Sequence, residues 1–323
     1  MRTAVSFQTI NRSNSGPGAF LRGAKWYWDE VTEMTAAAGF RAIALPIKPN
    51  SPTDVRNGAP ICTDELREVY GSVEGYRSYL QEKGIERVSA MLLSAQDMLA
   101  YMQENSLPME EYFSIFYSYA EDACTVLKSL GGEALVLSPT PAWGALHQML
   151  ETEAHIQAFL DGAAECLNRI GRMSAALGIR TCVKNDFWTL VRGTAISSFL
   201  EKLDDAVFFA PDTAQLQIAG ADPVALIRKH AGRIGCVCLT DTKYRDETEN
   251  YKSASPEFPQ SGRQQRCYHD LGYGDVDFPA VYAALREAGF DGLVILESRY
   301  TLEVPRALLR MRTFWNRLTK AER

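Results

Sequence analysis

Several features that would indicate other kinds of protein are missing from this sequence. It has no run of about 18 apolar residues, so no membrane span is predicted. Its first segment carries Arg2, Asn11, Arg12, Asn14 and Gly16 instead of an apolar stretch, so no signal peptide is predicted. The formal net charge is −6, whereas a nucleic acid or an anionic membrane would require a basic surface. Neither is expected as a partner.

The cysteine pattern offers no metal clip and no disulfide framework. The seven cysteines are an odd number, and several lie inside apolar runs. This is typical of reduced, buried thiols, so a cytoplasmic location is expected. The chain is 46% hydrophobic and 23% charged, a mixture typical of a globular protein.

One local pattern recurs along the chain: a helical stretch ends in glycine, and a short apolar run follows. It occurs at 36–40, 82–85, 130–132, 177–179 and 287–290. Glycine ends a helix readily because it adopts the left-handed conformation without a Cβ clash. A continuous apolar run of about five residues is typical of a parallel strand that is buried on both faces.

Three further apolar runs bring the predicted strands to eight, at 3–8, 41–47, 87–93, 133–138, 179–184, 206–210, 234–240 and 292–297. Helical patterns separate them at 25–38, 71–83, 110–130, 152–177, 194–203, 222–231, 277–288 and 301–318. This alternation predicts an α/β fold, a closed (β/α)8 TIM barrel that forms a single domain over residues 1–323. A doubly wound open sheet is the competing fold, but no glycine-rich phosphate loop follows the first strand.

Two long segments interrupt the alternation, at 48–70 and 243–273. Both follow predicted strands, so both are expected on the face where barrels build their active sites. Long loops in a compact domain are usually functional or disordered. A function is favoured here over a decorative insertion.

The predicted strand ends are rich in side chains suited to carbohydrate. The set comprises Gln8, Gln96, Trp143, His147, Lys184, Asn185, Asp186, Trp188, Asp212, Gln215, Asp241, Lys243, Glu297 and Arg299. Amides and carboxylates bind sugar hydroxyls, and the tryptophans provide flat apolar walls. Taken singly, Asp212 also suits a helix N-cap and Lys184 an ion-pair partner. Their convergence at one face favours a functional site.

The last third of the chain resembles the xylose isomerase-like barrels in four motifs, in order. These are Asp-Thr-Ala-Gln at 212–215 with Gly-Ala-Asp-Pro at 220–223, Val-Cys-Leu-Thr-Asp at 237–241, Leu-Gly-Tyr-Gly-Asp-Val-Asp-Phe at 271–278, and Gly-Phe-Asp-Gly at 289–292 leading to Glu297. The first half matches only in its strand rhythm. Members of this family include sugar isomerases and epimerases, inosose dehydratases and hydroxypyruvate isomerases.

The resemblance implies one divalent metal, Mn2+ or similar, held by side chains from strands 5 to 8. Asp212 and Glu297 match two of the family's ligands. Cys238 stands where histidine is usual, and Lys184 stands where glutamate or histidine is usual. Gln215 replaces the histidine of the Asp-Thr-Gly-His motif. A lysine ammonium would repel a cation. A trinuclear zinc site is set aside because the chain has only four histidines.

Two alternatives follow. In the first, which is favoured, Lys184 takes the metal position and pairs with Asp212 and Glu297, as a fixed charge or, if it loses its proton, as a base. In the second, the alignment of strand 5 slips by two residues, and Asp186, Asp212, Gln215 and Glu297 form an oxygen-rich metal site.

Other predicted roles concern acid–base groups and substrate binding. His147 and His269 fall on predicted upper-face loops, where either could move a proton near neutral pH; His147 is the catalytic candidate. Arg299 could hold an oxyanion or pair with Glu297. The residues predicted to bind substrate are Gln8, Trp143, Asn185, Trp188, Gln215, His269 and Arg299.

The leading functional hypothesis is an isomerase or epimerase acting on a keto-sugar, cyclitol or sugar conjugate. Lys184, Asp212, Glu297 and His147 would carry proton abstraction next to a carbonyl. The alternative is a lyase, since catalytic subunits of C-deglycosidases, which cleave oxidised 3-keto glycosides, resemble this family. Such subunits work with a small β-rich partner. A third possibility is a metal-free, non-catalytic sugar-binding barrel. Related barrels often form homo-oligomers.

Overall fold

A computed structural model describes residues 1–10, 24–49, 60–150, 152–259 and 266–320. It contains all eight predicted strands, with ends within two residues of the predicted ones. They are β1 (Arg2–Ser6), β2 (Ala42–Ile47), β3 (Arg87–Ser94), β4 (Ala134–Ser138), β5 (Arg180–Lys184), β6 (Val207–Ala210), β7 (Cys236–Leu239) and β8 (Leu293–Leu296).

The strands form one parallel sheet in the order β6-β5-β4-β3-β2-β1-β8-β7. The sheet curls into a nearly closed barrel, and β6 meets β7 only through isolated bridges, Phe209 with Ile234 and Asp212 with Cys238. At this seam the amide of Gly235 donates to the carbonyl of Phe209 over 2.9 Å. The predicted TIM barrel is therefore confirmed.

Among the described residues, twelve α-helices surround the barrel. They are α1 (Lys25–Ala37), α2 (Thr63–Val69), α3 (Val73–Glu82), α4 (Ala95–Glu104), α5 (Tyr112–Ser129), α6 (Trp143–Met149), α7 (Glu153–Ala176), α8 (Ala195–Leu200), α9 (Thr213–Ile218), α10 (Pro223–Lys229), α11 (Phe278–Glu287) and α12 (Val304–Lys320). Helix ends follow the predicted chemistry, since Gly39, Gly84, Gly131, Gly178 and Gly289 all have positive φ.

Alternate residues of each strand face different layers of the core. In β8, Leu293 and Ile295 pack inside the barrel with small residues such as Ala4 and Ala90. Their neighbours Val294 and Leu296 pack outward with α11 and α12. This alternation explains why the strands are apolar at every position.

Four short helices were not predicted: α2, α4, α6 and α9. As a result, the predicted loop 48–70 is partly wrong, because residues 63–69 form α2. Residues 50–59 of that loop and 260–265 of the loop 243–273 lie outside the described residues. No helix in the described part of the chain is long and apolar enough to cross a membrane.

Candidate active site

Lys184, the last residue of β5, lies among carboxylates at the carboxyl end of the barrel. Its Nζ atom is 3.0 Å from Oδ2 of Asp212 and 3.2 Å from Oδ1 of Asp186. The side chains are 8%, 0% and 4% exposed, respectively, so the ion pairs are shielded from water. The ends of β5 and β6 therefore meet at Lys184.

The charge state of Lys184 follows from its neighbours. Burial works to lower its pKa, but Asp186, Asp212 and Glu297 outweigh burial and raise the pKa above the ordinary lysine value. Lys184 is therefore a fixed ammonium at neutral pH. This favours the charged form over the neutral base that the sequence left open.

Asp212 is held in place by both main-chain and side-chain hydrogen bonds. It caps α9, where its Oδ1 accepts from the amide of Gln215 over 3.2 Å. The hydroxyl of Thr240 donates to the same oxygen. Both ends of the Asn185 amide bind the backbone of Asp212, over 3.0 and 3.3 Å. Asp212 is thus both a helix cap and a site residue, and these contacts favour a positioning role for Asn185.

Glu297 follows β8 and is 1% exposed. The Ser6 side chain hydrogen-bonds its carboxylate, and its Oε1 has no hydrogen-bond partner among the described residues. Burial raises its pKa, and Lys184 and Arg299 offset this only in part. A buried carboxylate with a raised pKa and a free oxygen is suited to accepting a proton.

Arg299 lies between two glutamates. Its Nη2 is 3.2 Å from Oε1 of Glu257, whereas its Nε is 4.0 Å from Oε1 of Glu297. Its closer partner is thus Glu257, a residue that the sequence did not indicate. Glu257 also accepts from the hydroxyls of Tyr268 and Tyr300, each over 2.6 Å. Through Glu257, the loop after β7 is therefore anchored to Arg299, Tyr268 and Tyr300.

A cavity of about 370 Å3 opens beside this network. It is lined by the side chains of Gln96, Trp188 and Glu257, together with residues of α6 and the segment 253–258. The indole of Trp188 donates to Glu257 over 3.4 Å. An apolar wall with a few polar groups is what a small-molecule site requires; the binding role of Trp188 stays a prediction.

Trp143 and His147 lie on α6, so His147 is on a helix rather than on the predicted loop. Their rings stack with centroids 3.5 Å apart, and Nδ1 of His147 lies 2.8 Å from the carbonyl of Trp143. In the described part of the chain, no hydrogen bond or ion pair joins His147 to Lys184 or Glu297. The catalytic role of His147 stays a prediction.

Gln8 and His269 occupy different parts of the upper face. Gln8 lies in a short turn after β1, and its buried Oε1 has no hydrogen-bond partner among the described residues. It therefore has a free acceptor two residues from Ser6, which hydrogen-bonds Glu297. His269 lies in the loop after β7, as predicted, but it lines a separate cavity with Lys243.

The predicted metal set does not fit a divalent cation while Lys184 stands among it. Both ends of the Gln215 amide are engaged, since its Oε1 accepts from the amide of Phe187 over 2.9 Å and its Nε2 donates to Tyr268 over 3.0 Å. Burial raises the pKa of Cys238, which keeps its thiol protonated. Across the described ranges, no group of three His, Cys, Asp or Glu side chains is arranged to hold a metal.

Asp241, which the sequence grouped with the site, anchors a loop instead. Its Oδ2 accepts from the amides of Gly272 and Gly274 over 2.9 and 2.7 Å. A Cβ on Gly274 would lie 2.0 Å from Oδ1 of Asp241, so this approach requires glycine. The motif Leu-Gly-Tyr-Gly therefore serves the conformation of this loop.

Three residues of the site, Thr240, Glu257 and Tyr268, were given no role from the sequence. Thr240 follows β7 directly, so its position at a strand end was an available signal. Glu257 and Tyr268 lie in the long loop after β7, where no periodicity indicates which side chains point inward.

A family model described as "Xylose isomerase-like TIM barrel" matches residues 33–314. An inosose dehydratase of Clostridium beijerinckii is 28% identical over 137 residues, which is 42% of this chain and 45% of that relative. The chain thus aligns with less than half the length of that relative.

Two solved structures are similar over nearly the whole chain. An L-ribulose 3-epimerase has a TM-score of 0.67 at 16% identity, covering 99% of this chain and 95% of that chain. A xylose isomerase-like TIM barrel protein of Mycobacterium smegmatis, in complex with magnesium, has a TM-score of 0.67 at 15% identity, with coverage of 99% and 97%. At these identities the likeness establishes the fold.

Proposed function

Since the chain belongs to the xylose isomerase-like TIM barrel family, we propose that it is an enzyme that removes a proton next to the carbonyl of a keto-sugar or cyclitol. One observation carries this proposal: a buried ammonium, Lys184, interacts electrostatically with Glu297, a buried carboxylate whose Oε1 has no hydrogen-bond partner among the described residues. A base and a fixed positive charge are what formation of an enediolate needs.

The proposed step divides the work between two side chains. Glu297 takes the proton from the carbon next to the carbonyl, so that the C–H bond breaks and an O–H bond forms. The electron pair moves onto the carbonyl oxygen, and Lys184 stabilises the resulting oxyanion. Transfer of the proton to the neighbouring carbon, with a hydroxyl proton passing between the two oxygens, gives an isomer. Protonation of the original carbon on its opposite face by a second proton donor, while Glu297 keeps the first proton, gives an epimer.

Lys184 supplies in this scheme the charge that a divalent metal supplies elsewhere. Its ammonium is fixed by Asp186 and Asp212 and needs no reorganisation as charge develops. The magnesium in the M. smegmatis neighbour belongs to that protein. We propose that this chain works without such an ion.

A lyase is the second candidate, and the inosose dehydratase relatives favour it. The same enediolate, formed next to a carbon that bears a hydroxyl, can expel that hydroxyl. Protonation of the leaving oxygen by Glu297 would then release water and leave a carbon–carbon double bond. Cleavage of a 3-keto glycoside would differ only in the leaving group.

The test is proton exchange in D2O, followed by NMR on a panel of keto-sugars and inososes. Wild-type protein should replace the hydrogen next to the carbonyl with deuterium whatever the final product. Glu297→Gln should lower the exchange rate by about 100-fold or more. Glu287→Gln, on an exposed carboxylate of α11, is the matched control and should exchange normally.

Mass analysis of the product then separates the two candidates. For the reaction run in H2O, an unchanged mass indicates isomerisation or epimerisation, and loss of one water indicates dehydration. Exchange that is equal in wild type and Glu297→Gln would overturn the assignment of the base. Absence of exchange across the panel would favour the non-catalytic barrel.

A further inference from the structure

A second cavity, separate from the Lys184 cluster, lies between the loop after β7 and the segment after β8. Its volume is about 290 Å3. We call it the cationic cavity, because its lining includes Lys243, Arg266, His269, Thr301, Arg306 and Arg310. Four permanent cations around one small space are unexpected in a chain whose net charge is −6.

The nearby carboxylates neutralise only part of this charge. Arg310 pairs with Asp270 over 2.7 Å, and Arg306 pairs with the exposed Glu303 over 3.3 Å. In the regions that the structure describes, no carboxylate pairs with Lys243 or Arg266. Two cations are therefore left to attract an anion.

The cavity also contains polar groups whose hydrogen bonds are unmade. Thr301 lines it and is 7% exposed, and its hydroxyl has no partner in the described part of the chain. Nδ1 of His269 is likewise buried without a partner there. Buried polar groups in folded proteins nearly always have a hydrogen-bond partner. Two such groups without one at the same cavity therefore indicate a place where a ligand binds.

His269 is suited to an anion without carrying a charge of its own. Burial lowers its pKa, and Arg266 and Lys243 lower it further, against Asp275 and Asp270. A neutral imidazole offers one N–H donor. Helix α12 begins at Val304, three residues after Thr301, and its amino end adds partial positive charge.

We propose that the cationic cavity binds a tetrahedral oxyanion with the chemistry of phosphate, either the free ion or the phosphoryl group of a sugar ester. Arg266 and Lys243 supply the charge, and Thr301 supplies a neutral hydrogen bond. The cavity adjoins the active-site loop, because His269 follows Tyr268, which contacts both Glu257 and Arg299. The proposal does not depend on the catalytic one.

The test is isothermal titration of the purified chain with inorganic phosphate at low ionic strength. Wild type should bind, and Arg266→Gln and Lys243→Gln should each weaken binding by about tenfold. Arg286→Gln, an exposed arginine at the end of α11, is the charge-matched control and should bind as wild type does. Thr301→Val should weaken binding without a change in charge.

Equal affinity in wild type and Arg266→Gln would overturn the proposal, as would the absence of heat at millimolar phosphate. Thermal melts of each variant separate lost binding from lost folding. A titration with a hexose phosphate and with the same hexose identifies the source of the anion. Tighter binding of the ester indicates a substrate group, and affinity equal to that of phosphate indicates the free ion.

Discussion

At the scale of single residues, the feature that sets this site apart is an ammonium inside a cage of carboxylates. Asp186 Oδ1, Asp212 Oδ2 and Glu297 Oε1 are all buried and make no aligned hydrogen bond among the described residues. Lys184 satisfies the first two by charge alone, at 3.2 and 3.0 Å. Removing one partner of such a group leaves buried charge uncompensated.

This arrangement predicts that replacing Lys184 changes whether the site binds a divalent metal ion. Lys184→Glu places a fourth carboxylate beside Asp186, Asp212 and Glu297, which is the oxygen-rich chemistry that Mn2+ and Mg2+ prefer. The variant should gain about one divalent ion per chain by mass spectrometry, and its melting temperature should rise with added Mn2+. Wild type should show neither effect.

Lys229→Glu makes the same charge change on an exposed position of α10 and should bind no ion. Lys184→Met should also bind none, because it removes the ammonium without adding a ligand. A wild-type protein that retains about one ion per chain after purification would contradict the role assigned to Lys184.

The raised pKa of Glu297 predicts the acid side of the pH–activity profile. As a base it must be ionised, so kcat/KM should rise with pH through a pKa above the value of about 4.3 for an exposed glutamate. The groups facing it are Lys184 and Arg299, which oppose the shift, and Asp212, which adds to it. Arg299→Gln should therefore move the acid limb further toward neutral pH.

The same shift has a consequence for stability. Because the folded pKa is raised, stabilisation by Glu297 is complete below its unfolded pKa and is lost as pH rises through the folded pKa. Glu297→Gln should thus be at least as stable as wild type at neutral pH, by urea unfolding. If Glu297→Gln is inactive and also strongly destabilised at neutral pH, the case for Glu297 as a base is lost.

Lys184, Asp212 and Glu297 could be identified from the sequence because each stands at a strand end, and strand ends can be located from apolar runs. Asn185 and Gln215 were predicted to bind substrate. In the structure the amide of Asn185 binds the backbone of Asp212. The amide of Gln215 binds the backbone amide of Phe187 and the hydroxyl of Tyr268. An amide side chain can bind a ligand or a backbone group equally well. Only the folded structure shows which partner is nearer.

At the scale of elements, the long loop after β7 is built around two carboxylates. Asp246 accepts from the amides of Asn250 and Tyr251 over 2.6 and 2.9 Å and so turns the chain. Glu257 then anchors the segment 253–258 of this loop, because its carboxylate accepts hydrogen bonds from Tyr268 and Tyr300 and pairs with Arg299. Irregular segments are ordered by such side-chain contacts rather than by a repeating ladder.

Glu257→Gln should loosen this segment. The amide keeps one acceptor oxygen where the carboxylate has two, and it loses the ion pair with Arg299. Hydrogen–deuterium exchange at residues 253–258 should therefore speed up, while β5 and β8 stay protected. Glu247→Gln, on an exposed side chain of the same loop, should leave exchange unchanged, and faster exchange in both variants would discount Glu257 as the anchor.

The short helices show where prediction of elements reached its limit. Helix α9 covers only residues 213–218, and all six are buried. A helix that is buried all round has no apolar stripe, so its period is invisible in the sequence. The cap at Asp212 was recognised as an option, but the sequence alone could not distinguish it from a site residue.

At the scale of the whole molecule, the barrel is weakest where β6 meets β7. The other neighbouring strands form continuous ladders, the shortest of them between β1 and β2, whereas this seam has isolated bridges. The alternation of helix and strand predicted the barrel, but it could not show this uneven closure. Pairing strength depends on side chains that meet only after the barrel has formed.

Gly235 holds the seam together because only glycine fits there. A Cβ on it would lie 2.5 Å from Sγ of Cys182 and 2.6 Å from Cβ of Phe208. Gly235→Ala should therefore force β6 and β7 apart and lower the free energy of unfolding by about 1–3 kcal/mol, as overpacking of a core does. The urea midpoint measures this.

Gly232→Ala is the matched control, because a Cβ at Gly232 meets no described atom within 4 Å. It should leave the midpoint unchanged or raise it slightly, since alanine restricts the unfolded chain. Because Asp212 and Cys238 bridge the same seam, Gly235→Ala should also displace the carboxylate from Lys184 and slow proton exchange. A variant that is destabilised but exchanges at the wild-type rate would show that the seam and the site are independent.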